Sequence, residues 1–359
     1  MTGLAPDRAR RLRARLLAWY DANRRDLPWR HSRDPYAIWV SETMLQQTRV
    51  ETVIPYWERF LERFPDVHAL ADAKQEDVYA EWAGLGYYSR ARNLHAAAKA
   101  IVEGHGGSLP DDVDGLRALP GIGRYTAGAV ASIAFDRPAA IVDGNVKRVL
   151  ARLQGIREDI GDRPVEERIW SDAGALVRGE RPGDLNQALM ELGATVCTPR
   201  SPDCGACPWS RSCEARQSGA PEALPVKARR TAVKKVRGVA VWLERGGRVL
   251  AVKREAGGLL GGLWELPGGD LGRGEEPADG ARRLLAESLG LRATHLESAG
   301  RVGHVFTHRS LTLHLLRGRA APGRTRRRGF AEHRWISGDA VAELPSATVT
   351  RKALAILRS

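Results

Sequence analysis

The hydrophobic period changes along this chain, and a change of period forces a change of architecture. From residue 8 to about 195, apolar residues recur at three and four, with breaks at Pro and Gly clusters such as 104–110 and 119–123. That is the pattern of helices that each bury one face. Farther on the period is two: Val239, Val241 and Leu243 alternate with other residues, Gly246-Gly247 supplies a turn, and 249–251 continues as a returning strand. Residues 277–290 regain helical spacing, Leu311, Leu313 and Leu315 alternate, and 349–357 reads as a closing helix. The predicted fold class is therefore multidomain, an all-α region followed by an α+β domain. A length of 359 residues supports two cores. Residues 216–237 contain Pro and Ala and carry seven Lys/Arg against one Glu, which suits an exposed basic connector. The expected domains are 1–215, connector 216–237, and 238–359.

Lys and Arg outnumber Asp and Glu by 56 to 43, a net charge of +13. This favours a polyanionic partner, nucleic acid ahead of a membrane surface. The first fifteen residues have no apolar core before a cleavage site, and no stretch approaches 18 uninterrupted apolar residues. The expected location is the cytoplasm, beside the nucleoid if the source is bacterial, with no membrane partner. The cysteines, Cys197, Cys204, Cys207 and Cys213, all fall in one short segment. In a reducing compartment metal ligation is the better reading, and the C-x6-C-x2-C-x5-C spacing leaves zinc and an iron-sulfur cluster both open.

Two carboxylates stand out. In 36–50, Ile38, Glu42, Leu45 and Arg49 share one helical face, so Glu42 lies on an apolar stripe where its pKa should rise. Pairing with Arg49 or another base at the stripe's edge is the plainer alternative. Asp143 follows Ile141-Val142 and precedes Val146, Val149, Leu150 and Leu153 at helical spacing. It is placed as an N-cap, where amide donors and the helix dipole should keep it ionised, and capping alone would explain it. An acid and an anion in contrasting surroundings is nevertheless how a fold divides acid and base work.

The string Leu116-Arg117-Ala118-Leu119-Pro120-Gly121-Ile122-Gly123-Arg124-Tyr125-Thr126-Ala127 joins two helices through a turn in which Gly121 and Gly123 let backbone amides approach a phosphate. It resembles the helix-hairpin-helix of base-excision glycosylases related to endonuclease III. Bifunctional relatives place a Schiff-base Lys where this chain has Tyr125, and a tyrosine cannot form an imine, so a monofunctional enzyme using water is expected. Three further strings are Trp39-Val40-Ser41-Glu42-Thr43-Met44-Leu45-Gln46-Gln47-Thr48, Gly84-Leu85-Gly86-Tyr87-Tyr88-Ser89-Arg90-Ala91-Arg92-Asn93 and Val142-Asp143-Gly144-Asn145-Val146-Lys147-Arg148-Val149. They resemble the signatures of the MutY adenine DNA glycosylases, and the likeness extends over nearly the whole chain.

The resemblance implies hydrolysis of adenine's N-glycosidic bond where adenine lies opposite 8-oxoguanine or guanine in duplex DNA. Glu42 would be the general acid and Asp143 the electrostatic stabiliser or transient nucleophile, with Tyr125 and Asn145 in the catalytic set. Arg30, in Leu27-Pro28-Trp29-Arg30, is expected beside the adenine pocket, and Leu45 is counted among the residues that bind DNA or the base. Gln46 and Tyr87 would wedge into the helix, with Gln47 and Tyr88 nearby. The four cysteines would carry one [4Fe-4S] cluster. A monomer is expected.

Residues 269–291 resemble the Nudix signature: Glu275, Arg283, Glu287 and Gly290 match, but Leu284 and Ser288 stand where it requires glutamates. Nucleotide hydrolysis is therefore not expected. The domain is similar to the MutY recognition domain, whose Phe-Ser-His corresponds here to Phe306-Thr307-His308, read as contacts to 8-oxoguanine. The competing readings are a thymine or uracil mismatch glycosylase, a non-catalytic iron-sulfur DNA-binding protein and a Nudix pyrophosphatase.

Overall fold

A computed structural model describes residues 3–228, 233–258, 260–306 and 309–358. Its first twelve helices are α1 (Pro6–Asn23), α2 (Pro35–Leu45), α3 (Val50–Arg63), α4 (Val67–Asp72), α5 (Gln75–Trp82), α6 (Ser89–His105), α7 (Val113–Ala118), α8 (Arg124–Phe135), α9 (Gly144–Leu153), α10 (Arg163–Val177), α11 (Pro182–Thr195) and α12 (Glu214–Gln217). Two compact units result, Met1–Ala73 with Asn93–Arg230, and Lys74–Arg92 with Thr231–Ser359. No helix among the described residues is long and apolar enough to cross a membrane.

In the first unit Leu12 and Leu16 of α1 pack with Val146 and Leu150 of α9, Ile169 of α10, and Leu185 and Leu189 of α11. The sequence of α2 is apolar almost all round, and every residue from Tyr36 to Met44 is buried, as expected for a helix enclosed by others. Asp34 caps it by accepting from the amides of Tyr36 and Ala37, with Pro35 in the first turn. It ends at Leu45, and Gln47 turns left-handed at φ +57°. Arg49 therefore caps α3 and does not continue the face that carries Glu42.

The connector is shorter than its composition suggests. Leu224 is buried, its carbonyl accepts from Arg152 Nε at 2.9 Å, and Val226 bridges to Asp159. A buried guanidinium needs acceptors, and this stretch of chain supplies them.

The second unit is a mixed sheet of β1 (Lys234–Arg245), β2 (Arg248–Arg254), β3 (Trp264–Glu265), β4 (Gly268–Asp270), β5 (Ala293–Val305), β6 (Arg309–Ala320) and β7 (Phe330–Ile336), with α13 (Pro277–Leu289), α14 (Gly338–Glu343) and α15 (Thr348–Leu357). The order is β3-β2-β1-β6-β5, with β4 on β1 and β7 on β2. Among the described strands β1 and β6 pair in parallel, and the other paired strands run antiparallel. Gly246 and Gly247 close the β1–β2 hairpin at φ +57° and +73°, values that suit a tight turn with the twist of the strands. Residues 239–243 are all buried rather than alternating: Val239, Val241 and Leu243 pack with Ala281 and Leu285 of α13, while Trp242 lies against Gly338.

Lys74–Arg92, which helical spacing places in the first domain, belongs to this second unit. Tyr79 donates to the Gly261 carbonyl at 3.2 Å, Tyr88 to that of Ser346 at 3.0 Å, and Arg92 to that of Ala256 at 3.1 Å. Lys253 pairs with Glu76. Periodicity reports that a segment is helical, not which sheet it will pack with.

Candidate active site

Within the first unit, α2, α8, α11 and the start of α9 border a cavity of about 160 Å³ lined by Arg30, Glu42, Leu45, Tyr125, Asp143 and Asn145, among others. The enclosure of α2 carries Glu42 inside with it, 4% exposed. The Tyr125 hydroxyl donates to Glu42 Oε2 at 2.8 Å and approaches Met190 Sδ at 3.1 Å. Burial pushes the Glu42 carboxyl up to about 7, against the bond from Tyr125. This is the raised acid expected from the sequence, with a tyrosine rather than Arg49 as its hydrogen-bond donor.

Asp143 caps α9: Oδ1 accepts from the Val146 amide at 2.7 Å and Oδ2 from Asn145 Nδ2 at 3.0 Å. The sequence predicts that the donors and the helix terminus keep this carboxyl ionised, and burial works against them. Burial pushes the Asp143 carboxyl up, outweighing the bonds from Val146 and Asn145. Both carboxyls are thus raised, and they differ in how many donors favour the anion.

Arg30 Nη2 donates to Glu191 Oε2 at 2.9 Å and Nη1 to the Arg25 carbonyl at 2.8 Å, while Arg25 Nε donates to Glu191 Oε1 at 2.7 Å. Burial would raise the Glu191 carboxyl, but Arg25 and Arg30 hold it at about 2. Glu191 and Arg25 also line the cavity, and sequence reasoning missed both. A Glu in an ordinary helical run carries no signal until its two arginines, some 160 positions away, are seen beside it.

Gln46 Nε2 donates to Thr126 Oγ1 at 3.2 Å, and Gln47 is exposed just beyond α2. At the hairpin between α7 and α8, Gly121 has φ +73°, and a Cβ there would lie 2.4 Å from that of Asn93. Gly123 is extended, with open space where its side chain would be. Gly121→Ala is expected to lower stability by about 1–3 kcal/mol, read by thermal or urea unfolding, whereas Gly123→Ala should leave stability nearly unchanged.

In the second unit Tyr87, Tyr88, His304, Val305 and Phe306 line a cavity of about 240 Å³. The rings of Phe306 and His304 meet edge to face at 4.4 Å. Thr307 and His308 lie outside the described residues. At the Nudix-like helix, Arg283 bonds Glu275 at 2.8 Å and Glu287 at 3.2 Å. Arg283 and the Gly272 amide hold the Glu275 carboxyl down at about 2. Both glutamates, one on α13 and one just before it, are engaged by a cation of that helix.

Cys197, Cys204, Cys207 and Cys213 line one further cavity. Arg152, 2% exposed, donates from Nη1 to Cys197 Sγ at 3.3 Å and to the Thr198 carbonyl at 2.7 Å. Four thiol donors around a common space beside a buried guanidinium suit an anionic iron-sulfur cluster. Arg148 connects this loop to the cavity of Glu42 and Asp143: Nε donates to the Cys197 carbonyl at 2.7 Å and Nη2 to Asn145 Oδ1 at 2.8 Å, and Asn145 in turn donates to Asp143.

Residues 40–173 match the HhH-GPD superfamily of base excision DNA repair proteins, 197–213 the iron-sulfur binding domain of endonuclease III, and 238–355 the NUDIX domain. The chain is 40% identical to the adenine DNA glycosylase of Homo sapiens over 87% of its own length and 67% of that protein. It is 34% identical to the adenine DNA glycosylase of Schizosaccharomyces pombe over 91% and 85%. A thermostable thymine-DNA glycosylase superposes with TM-score 0.52 at 29% identity, covering 58% of this chain and 97% of that one. Endonuclease III from a non-covalent DNA complex gives 0.51 at 25%, covering 60% and 98%.

Proposed function

Because the chain belongs to the adenine DNA glycosylase family, and so is a DNA N-glycosylase with one [4Fe-4S] cluster, we propose that it releases adenine lying opposite 8-oxoguanine or guanine, without strand cleavage. The observation that carries this reading is a buried carboxyl near pKa 7, Glu42, in one cavity with a donor-supplied carboxyl, Asp143. Adenine is a poor leaving anion. Glu42 gives its proton to N7 of the extruded base, the C1′–N9 bond breaks with its electron pair going to the purine, and adenine departs neutral. The amide donors around Asp143 favour its anion, which stabilises the positive charge developing at C1′. Glu42, now a carboxylate, takes a proton from water as its oxygen bonds C1′, leaving an abasic site. Tyr125 offers no amine for an imine, so the sugar is not captured there.

Base identity is assigned to Glu191, which Arg25 and Arg30 keep ionised. An anionic acceptor suits the exocyclic amine of adenine, whereas thymine and uracil present a carbonyl at the corresponding edge and are repelled. The groove of Tyr87, Tyr88 and Phe306 is assigned to the base opposite, and Tyr87 to the wedge that fills the stack. Single-turnover assays on duplexes with A opposite 8-oxoguanine, A opposite G and T opposite G, with the released base identified, test this. Adenine is the expected product, fastest opposite 8-oxoguanine, with that preference lost when Phe306 and Thr307 are both changed to Ala. Release of thymine, or an unchanged preference in the double variant, overturns it.

A further inference from the structure

The turn that presents Tyr87 adopts conformations that L side chains avoid, and a buried cation, Arg90, sits behind it. Gly84, Gly86 and Tyr87 have φ of +121°, +72° and +49°. Glycines enter this region freely, but a tyrosine stays there only where its surroundings over-determine it. Tyr87 is 46% exposed all the same, so enclosure in a core does not hold the conformation. The backbone is held from below. Arg90, 8% exposed at the start of α6, donates from Nη2 to the Leu85 carbonyl at 3.3 Å and the Gly86 carbonyl at 3.2 Å. Trp82 Nε1 donates to the same Gly86 carbonyl at 3.1 Å. The Arg90 guanidinium carbon lies 5.4 Å from the ring centroids of both Trp82 and Tyr87, and the Arg90 amide closes the turn on the Tyr87 carbonyl at 2.9 Å. Burial lowers the Arg90 pKa to about 10, so the group remains a cation at neutral pH and keeps its attraction for both ring faces.

We infer that Arg90 is a positioning residue for duplex opening: its Nη2 ties two turn carbonyls while the face of its guanidinium supports the Tyr87 ring, so that the ring is already aimed before DNA arrives. The inference rests on the reading of Tyr87 as the wedge. Preorganisation of this kind lowers the cost of ordering a side chain on binding. A lysine keeps the charge but has no flat guanidinium face to lie against the Trp82 and Tyr87 rings while it reaches the two carbonyls.

The test is a double-mutant cycle on the full-length protein, with Arg90→Lys, Tyr87→Ala and both together. The readouts are the fluorescence rise of 2-aminopurine placed beside the mispair, which reports unstacking, and single-turnover base release on the same duplex. Arg90→Lys is expected to reduce unstacking by about tenfold and to add almost nothing once Tyr87 is Ala. A purely structural role for Arg90 would give independent, additive losses, and that outcome overturns the inference. Unstacking that survives Tyr87→Ala unchanged overturns the wedge reading and the inference with it, a distinguishable result. Trp82→Phe, which removes the indole donor to Gly86 and part of the ring that Arg90 faces, repeats the cycle should Arg90→Lys fail to fold. It is expected to show the same dependence on Tyr87, and additivity there counts equally against the inference.

Discussion

Glu42→Gln is expected to slow adenine release by about a thousandfold or more, while duplex binding persists and the protein becomes more stable at neutral and alkaline pH. The amide keeps the shape and can still accept from Tyr125, so the cavity should survive, but it has no proton to give to the purine. The stability gain follows from the same titration. The carboxyl has an ordinary pKa of 4.5 and burial moves it to about 7 in the folded protein, so the native state binds that proton more tightly than the unfolded chain. The associated stabilisation is fully present below about pH 4.5 and is lost as pH rises through about 7. Above that the buried anion costs about 3 kcal/mol, a cost the glutamine lacks. Activity should fall over the same range, because the acid form is depleted as pH passes about 7. Denaturant unfolding at pH 5 and pH 8, beside single-turnover rates across that interval, checks both. Comparable rates for the variant, or a stability difference that does not grow with pH, would sink the assignment of Glu42 as the acid.

Cys207→Ser is expected to yield protein depleted in iron and sulfide, with base release down by about a hundredfold. The loop 197–213 contributes few buried apolar side chains and is held at its start by Arg148 and Arg152 on the carbonyls of Cys197, Thr198 and Pro199. Losing the cluster should free that segment, and the disturbance has a physical route inward: Arg148 orients Asn145, and Asn145 donates to Asp143. Arg148→Gln should therefore lose much of the rate while keeping its iron, because the cysteines remain. Iron and sulfide analysis, spectra of the cluster and single-turnover rates distinguish the two variants. Stoichiometric zinc without iron in the wild type, or iron-free Cys207→Ser at full rate, contradicts this account.

The sequence by itself determined whatever depends on local order. The switch in hydrophobic period separated the helices from the sheet, Gly246-Gly247 marked a hairpin, Pro120-Gly121 marked the turn before α8, and four closely spaced cysteines marked a ligand set. Placing Glu42 on an apolar stripe and Asp143 at an N-cap was within its reach for the same reason: both are short-range consequences of helix geometry. The tertiary structure alone decided what depends on neighbours distant in the chain. It made α2 buried on every side, which is why the donor to Glu42 is Tyr125 rather than Arg49. It raised Asp143, because the extent of burial is a property of the whole unit and outweighs two local hydrogen bonds. Lys74–Arg92 joined the C-terminal unit through hydrogen bonds from Tyr79, Tyr88 and Arg92 that no periodicity encodes. Glu191 came between Arg25 and Arg30 by the same kind of long-range convergence, since electrostatics in a folded protein follows distance in space and not separation in sequence.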